Sequence, residues 1–449
     1  MKTSEVLSPT TTPESVYPQS AALQARAHQL IPGGCHTYAK GDDQYPVLAP
    51  AFLARGQGCH VWDVDGNEFI EYGMGLRSVT LGHAYPSVVE AAYRQMLLGN
   101  NYTRPAPIEI DCAEALLRAI EAAEMVKFAK NGSDVTTAAV KLARAYTGRD
   151  IVAICAEHPF FSVDDWFIGS TPMAAGIPEA IRQLTVKFHY NSPQSLTELF
   201  RTYPSRIACV MLEAETSLRP EPGFLEEVQR LCAENGALFV LDETLTGFRW
   251  DLGGAQKVYG LRPDLSTFGK GLGNGFAIAA LAGKREFMER GGLRHSQERV
   301  FLLSTTHGAE NHALAAAMAT LRTYREEPVI ETLHQQGDRL RNGANQAIHH
   351  HGLEGHVEIL GRSCNLVYAT RDEQRAPSQA FRALFLQELI RRGVIAPSLV
   401  VSYSHSDQDI DQTIDAIAGA LGVYRKALDD GIAQHLVGRP VKPVFRPFN

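Results

Sequence analysis

Leu265-Ser266-Thr267-Phe268-Gly269-Lys270-Gly271-Leu272-Gly273-Asn274-Gly275-Phe276 is the stretch on which the reading of this chain turns. An apolar, strand-like approach runs into a lysine followed by three glycines at alternating positions. Burying that charge unpaired is expensive. Lys270 is therefore either anchored to an anion or held neutral for chemistry, and desolvation is the usual route to a Schiff-base amine. A nucleotide phosphate loop would need a glycine five residues before the Gly-Lys pair and Ser or Thr after it. Asp264 and Gly271 occupy those positions, which excludes it.

The complementary stretch is Ala237-Leu238-Phe239-Val240-Leu241-Asp242-Glu243-Thr244-Leu245-Thr246-Gly247-Phe248-Arg249. A short continuous apolar run ending in an acid reads as a buried parallel strand carrying Asp242 at its tip. Ligands of open α/β sheets bind off such tips. Taken alone, Asp242 is equally a strand-end acid capping the next turn. Taken with Lys270, it suits the acid that faces the ring nitrogen of pyridoxal 5'-phosphate, a cofactor that also demands a Schiff-base lysine.

The 449 residues suffice for a large core and two or three structural units. With 45% apolar and 21% charged residues the composition is that of a globular enzyme. A net charge of -7 offers no basic face to nucleic acid or anionic lipid, so neither is expected as a partner. Seven cysteines, without a C-x-x-C pair, argue for reduced thiols and a cytoplasmic location rather than a disulfide framework or zinc site. No signal-like or membrane-spanning apolar run is read.

Along the chain, residues 1–18 are rich in Ser, Thr and Pro and read as a flexible tail. The segment 19–84 reads as a helix over 21–30, stopped by Ile31-Pro32-Gly33-Gly34, and a β hairpin around Asp65-Gly66, packing with the small domain. From 85 to 325, helices and strands alternate. Helices are expected over 87–98, 107–123, 135–146 and 222–235, and strands over 125–129, 151–155, 207–213, 237–242 and 278–282. That order predicts a mostly parallel, doubly wound sheet in a large domain. Residues 326–449 read as a smaller α+β domain, with helices over 329–350, 378–392 and 407–428 and strands over 356–360 and 365–368.

Taken together the motifs resemble the class III, fold-type I pyridoxal-phosphate-dependent aminotransferases, in their glutamate-1-semialdehyde aminomutase-like branch. Those carrying the resemblance are Asp242-Glu243-x-x-Thr246-Gly247-Phe248-Arg249, Phe268-Gly269-Lys270-Gly271, Trp62-Asp63-Val64-Asp65-Gly66, Leu81-Gly82-His83 and Leu142-Ala143-Arg144-Ala145-Tyr146-Thr147-Gly148-Arg149. The resemblance extends from residue 31 to about residue 425. It implies Lys270 and Asp242 as catalytic residues and places the cofactor phosphate at Asn131-Gly132-Ser133. A helix N-terminus there offers N–H groups to a dianion, though alone it is as well a plain N-cap. The resemblance further implies Glu213 near the cofactor, Thr305 donated across a homodimer interface, Phe160 as the ring-stacking side chain and Thr244 beneath the ring. Glu213 reads equally as a structural acid.

The expected activity is amino transfer between an amino donor and an aldehyde or ketone, both small molecules. The alternatives are glutamate-1-semialdehyde 2,1-aminomutase chemistry, in which the transfer is intramolecular, and a non-catalytic cofactor-binding regulator or scaffold. The chain departs from the aminomutase pattern at the substrate pocket. Phe160-Phe161-Ser162 replaces Tyr-His-Gly, Gly73-Met74-Gly75-Leu76-Arg77-Ser78 replaces a Gly-Ser-Trp loop, and Lys40 stands near an expected arginine. After Ala396-Pro397-Ser398 the expected acidic gate is missing. Lys40 and Arg77 suit an anionic substrate, or serve the scaffold.

Overall fold

The computed structural model describes residues 17–448, so most of the expected tail lies outside the described residues. The first helix spans Pro18–Leu30, starting earlier than expected because Pro18 is well placed in its first turn. β1 (Leu53–Gln57), β2 (His60–Asp63) and β3 (Glu68–Glu71) follow as an antiparallel set. The β2–β3 turn rests on Gly66 at φ 93° and on Asp63, whose carboxylate accepts the N–H groups of Asp65 and Asn67.

The central sheet has seven strands: β4 (Met125–Ala129), β5 (Ile151–Cys155), β6 (Thr185–Phe188), β7 (Ile207–Leu212), β8 (Leu238–Asp242), β9 (Leu265–Phe268) and β10 (Ala279–Gly283). Their spatial order is β4-β10-β9-β8-β7-β5-β6. All neighbours are parallel except those of β10, which runs antiparallel to both β4 and β9. The continuous apolar runs follow from burial on both faces. In β8, Leu238 and Val240 join one core, whereas Phe239 and Leu241 join the other. β5 alternates likewise. This is the doubly wound fold-type I architecture.

Among the elements the sequence did not announce are β6 and the helices Pro193–Thr202 and Asn311–Glu326, and one expected helix was overextended. β6 is a four-residue edge strand with no apolar run to announce it. The helix Asn311–Glu326 packs along Pro86–Leu98. The helix at Pro107 stops at Leu117 rather than 123; Ala119 and Ile120 turn inward to the core before β4 begins. Near the C-terminus, β11 (Val357–Leu360) and β12 (Val367–Thr370) form a two-stranded sheet. β13 (Val394–Ile395) pairs parallel with β3, so early and late parts of the chain share a sheet.

Further contacts tie the two ends. Asp409, in the helix Asp407–Asp430, accepts from the His60 ring at 3.0 Å and the Cys59 thiol at 3.4 Å. The last residues lie across the segment after Lys40. The Lys442 N–H donates to the Asp43 carbonyl at 2.9 Å, and the Arg439 guanidinium donates to the Asp42 carbonyl at 2.7 Å. Among the described residues, no helix is long and apolar enough to cross a membrane.

Candidate active site

Three adjacent parallel strands bring the central groups together. In register, Leu212 of β7 lies beside Leu241 of β8, and Asp242 beside Thr267 of β9. Glu213 therefore leaves the tip of β7, Asp242 ends β8, and Lys270 follows the tip of β9 by two residues. Asp242 is buried, and one carboxylate oxygen accepts from the Thr244 N–H and the Thr267 hydroxyl, both at 2.9 Å. Glu243 turns away, its carboxylate accepting the N–H groups of Ala255 and Gln256. Thr267 lay within the deciding stretch, but its role shows only once β8 and β9 are side by side.

Lys270 sits in the left-handed region at φ 36°. Among the described residues its amine has no hydrogen-bond or ion-pair partner. Burial lowers its pKa, opposed by the charges of Asp242 and Glu213. Burial first, then the Asp242 charge, push the Glu213 carboxyl up to about 8, against the pull of Lys270 and Arg77. One Glu213 oxygen is shielded without a partner. His158, which sequence reasoning missed, accepts the Glu213 N–H at 3.0 Å through Nδ1. Burial lowers its pKa to about 4, keeping the ring neutral for that role.

These values set a pH dependence. Below its ordinary value of 4.5, Glu213 is protonated in both folded and unfolded chains. As pH rises toward about 8, the unfolded chain ionises first, so this group's contribution to stability is lost across that window. Glu213→Gln is expected to match wild type near pH 4.5 and to exceed it at pH 8.5, by on the order of 1–3 kcal/mol. Denaturant titration of the cofactor-free protein at the two pH values checks this. An equal difference at both would refute the assignment.

The helix Gly132–Thr147 points its N-terminus at the same place. A Cβ on Gly132 would lie 3.1 Å from the Thr244 methyl, and one on Gly269 would lie 3.2 Å from it. The Asn131-Gly132-Ser133 turn, Thr244 and the Gly269-Lys270 turn thus converge within van der Waals reach. Asn131 caps the helix by accepting the Asp134 N–H, and the Ser133 hydroxyl accepts the Val163 N–H at 3.1 Å. The first N–H groups of the helix have no intrahelical acceptor and remain for an anion. Thr244 Oγ1 is also shielded and unpartnered.

Phe160 and Phe161 separate clearly. Phe161 is 2% exposed and belongs to the core, whereas Phe160 is 42% exposed and keeps a ring face for a ligand. Thr305 is exposed on this chain. The half-buried Arg77 acts electrostatically on both Glu213 and Lys270. Lys40, on the turn Tyr38–Lys40, is exposed, and its side chain has no partner among the described residues.

A strained lysine beside two buried acids, with a helix N-terminus opposite, fits the aldehyde, ring nitrogen and phosphate of pyridoxal 5'-phosphate, and the orphaned oxygens of Glu213 and Thr244 leave polar groups for it. The class-III aminotransferase family matches residues 38–421. The chain belongs to that family. Curated relatives of this class-III aminotransferase include the glutamate-1-semialdehyde 2,1-aminomutases of Desulfitobacterium hafniense and Thermus thermophilus. The first is 32% identical over 87% of this chain and 95% of its own length, the second 32% identical over 90% and 99%. Among solved structures, the PLP internal aldimine form of the Sphingopyxis sp. MTA144 FumI protein superposes with a TM-score of 0.84 at 29% identity, covering 94% of this chain and 98% of that one. An omega-transaminase from Sphaerobacter thermophilus gives 0.82 at 25% identity, covering 92% and 98%. This chain is a pyridoxal-phosphate-dependent enzyme of the aminotransferase class.

Proposed function

We propose that this class-III aminotransferase moves an amino group from a small amino donor to an aldehyde or ketone, with Lys270 as the reacting amine. The observation that carries this is the Lys270 amine itself, half-buried within the electrostatic reach of Asp242 and Glu213 yet bonded to neither. Pyridoxal 5'-phosphate supplies an aldehyde that condenses with amines and a protonated ring that withdraws electrons from the carbon bearing the nitrogen. Lys270 would anchor that group and, once released, would take a proton from the donor carbon that loses its nitrogen and later deliver one to the acceptor carbon that gains it. Asp242 would hold the proton on the ring nitrogen, and the N–H groups of Gly132 and Ser133 would take the phosphate, with Asn131 shaping the turn. Thr244, Phe160 and Glu213 would line the ring, Phe160 offering an apolar face and the other two polar oxygens. The curated relatives support intramolecular transfer as a second reading, and the altered pocket residues stand against it.

We further assign the protein to homodimers in the cytoplasm. Val89, Tyr93, Met96, Leu97, Leu98 and Tyr102 leave an exposed apolar face. The Thr305 loop borders it, since the Asn101 side chain donates to the Thr306 carbonyl at 2.9 Å. Closing that face would bring each Thr305 toward a partner's site. The reading is tested by loading the protein with pyridoxal 5'-phosphate and adding amino donors one at a time. The expected result is a visible absorbance band that bleaches with one class of donor and returns with a carbonyl acceptor. A band that no donor bleaches would favour intramolecular transfer or a non-catalytic role; no band at all would sink the Lys270 assignment.

A further inference from the structure

The residues before the Leu81-Gly82-His83 motif follow a path that L-amino acids avoid. Met74, Gly75, Leu76 and Arg77 have φ of 43°, 58°, 57° and 70°, four consecutive residues in the left-handed region. With ψ of 41° and 44° at Gly75 and Leu76, this is a single left-handed helical turn. Only one of the four is a glycine, so the turn persists because other parts of the chain impose it. The Met74 N–H donates to the Glu71 carboxylate at 2.7 Å, and the His83 ring lies 3.1 Å from the same oxygen. At the other end, the buried Arg249 guanidinium donates to the Arg77 carbonyl at 2.7 Å and the Thr80 hydroxyl at 3.3 Å.

What the strain accomplishes is the placement of one guanidinium. Half-buried Arg77 makes no side-chain hydrogen bond or ion pair with any described residue, and its Nε is shielded from solvent. Comparable arginines do find partners. Arg362 is held by Glu215, and Arg382 donates to the Pro397 carbonyl. Arg77 remains charged at any ordinary pH, and its neighbours Arg249 and Arg382 add positive charge rather than neutralise it. Glu213, the carboxyl whose charge would act on it, is driven toward its protonated form by burial and by the Asp242 charge. A cationic guanidinium without an acceptor, its Nε shielded and the rest of the group half-open, is suited to an anion brought from outside, above all a carboxylate in bidentate contact.

We propose that Arg77 is the specificity-determining residue of this site, binding a carboxylate on the amino donor, so that the enzyme takes amino acids in preference to amines lacking the acid. This rests on the reading of Lys270 as the reacting amine.

The test uses the cofactor-loaded protein, its Arg77→Gln variant and its Arg77→Gly variant. Calorimetry with unreactive monocarboxylates and dicarboxylates, such as propionate and glutarate, reads binding without turnover. Both variants are expected to bind them at least tenfold more weakly, with cofactor affinity unchanged. In donor assays, wild type should favour each amino acid over the matched amine lacking the carboxylate, and Arg77→Gln should lose that preference through a raised KM. Arg77→Gly also guards against misfolding, because glycine accepts φ 70° freely and should raise the melting temperature, whereas a structural arginine would lower it. Unchanged carboxylate binding in the variants would overturn the proposal. So would a loss of cofactor affinity, which would make Arg77 a cofactor ligand instead. If wild type binds carboxylates through Arg77 but no donor bleaches the absorbance, the failure lies with Lys270 and not with Arg77.

Discussion

Lys270→Ala is expected to leave a folded, cofactor-binding protein that turns over at least roughly 10²–10⁴-fold more slowly than wild type. The magnitude follows from what stands nearby. Glu213 and Asp242 are carboxyl groups, and Arg77 does not give up its proton at ordinary pH. No other described amine lies among the charges that act on this cluster. Removing Lys270 therefore deletes the one group whose lowered pKa suits it to take a proton and return it. The fold should survive, because the backbone turn is fixed by the Leu272 N–H to the Gly269 carbonyl at 2.9 Å, a contact independent of the side chain. Losing the larger of the two cationic pulls leaves Arg77 alone to oppose burial and the Asp242 charge, so the Glu213 carboxyl should hold a proton to still higher pH. Single-turnover rates measured with cofactor content decide the matter. Turnover within tenfold of wild type would remove Lys270 from the chemistry.

The second large effect belongs to Asp242→Asn, for which turnover is expected to fall roughly 10²–10³-fold, the usual cost of deleting one preorganised electrostatic partner. The change is nearly isosteric. The asparagine carbonyl oxygen can still accept from the Thr244 N–H and the Thr267 hydroxyl, so the strand tip keeps its shape and the melting temperature should move little. What disappears is a negative charge. Since that charge is the second-largest cause of the raised Glu213 pKa, the Glu213 titration should move back toward the ordinary carboxylate range. Loss of rate together with a shifted acid limb of the pH profile would mark an electrostatic role. Loss of rate with loss of fold would mark a merely structural one.

The parts of this molecule that could be read in advance are those where one physical force dominates. β5, β7 and β8 are buried on both faces, which leaves unbroken apolar runs with little room for another assignment. Lys270, Asp242 and Glu213 were visible because each interrupts or ends such a run. The direction of β10 was not visible, since a strand's polarity is set by what precedes it in space and not by its own residues. The helix Asn311–Glu326 has no side-chain N-cap hydrogen bond and no acid in its first turn, so its start carries no local signal. The left-handed turn at Arg77 was hidden for a related reason. Its strain is held by Arg249, 172 positions away, and nothing in Met74-Gly75-Leu76-Arg77 alone forecasts it. His158 was overlooked because its task, receiving one main-chain N–H across a strand gap, leaves no pattern in the chain.

The crossing of the two chain ends bears on how this enzyme is made. Among the described residues β3 gains its parallel neighbour from Val394–Ile395, and the segment after Lys40, held on one side by Gln24 and His28, also takes hydrogen bonds from Arg439, Lys442 and Arg446. A ribosome delivers the hairpin and the Lys40 segment first, yet partners they keep in the fold are made much later in the chain. The central sheet can assemble from neighbouring elements during elongation, whereas the earliest residues must wait, unshielded, for nearly the whole polypeptide to emerge. The sheet of the hairpin is thereby completed only after residues 394–395 have been made, and until then the open edge of β3 is a surface for a chaperone to cover.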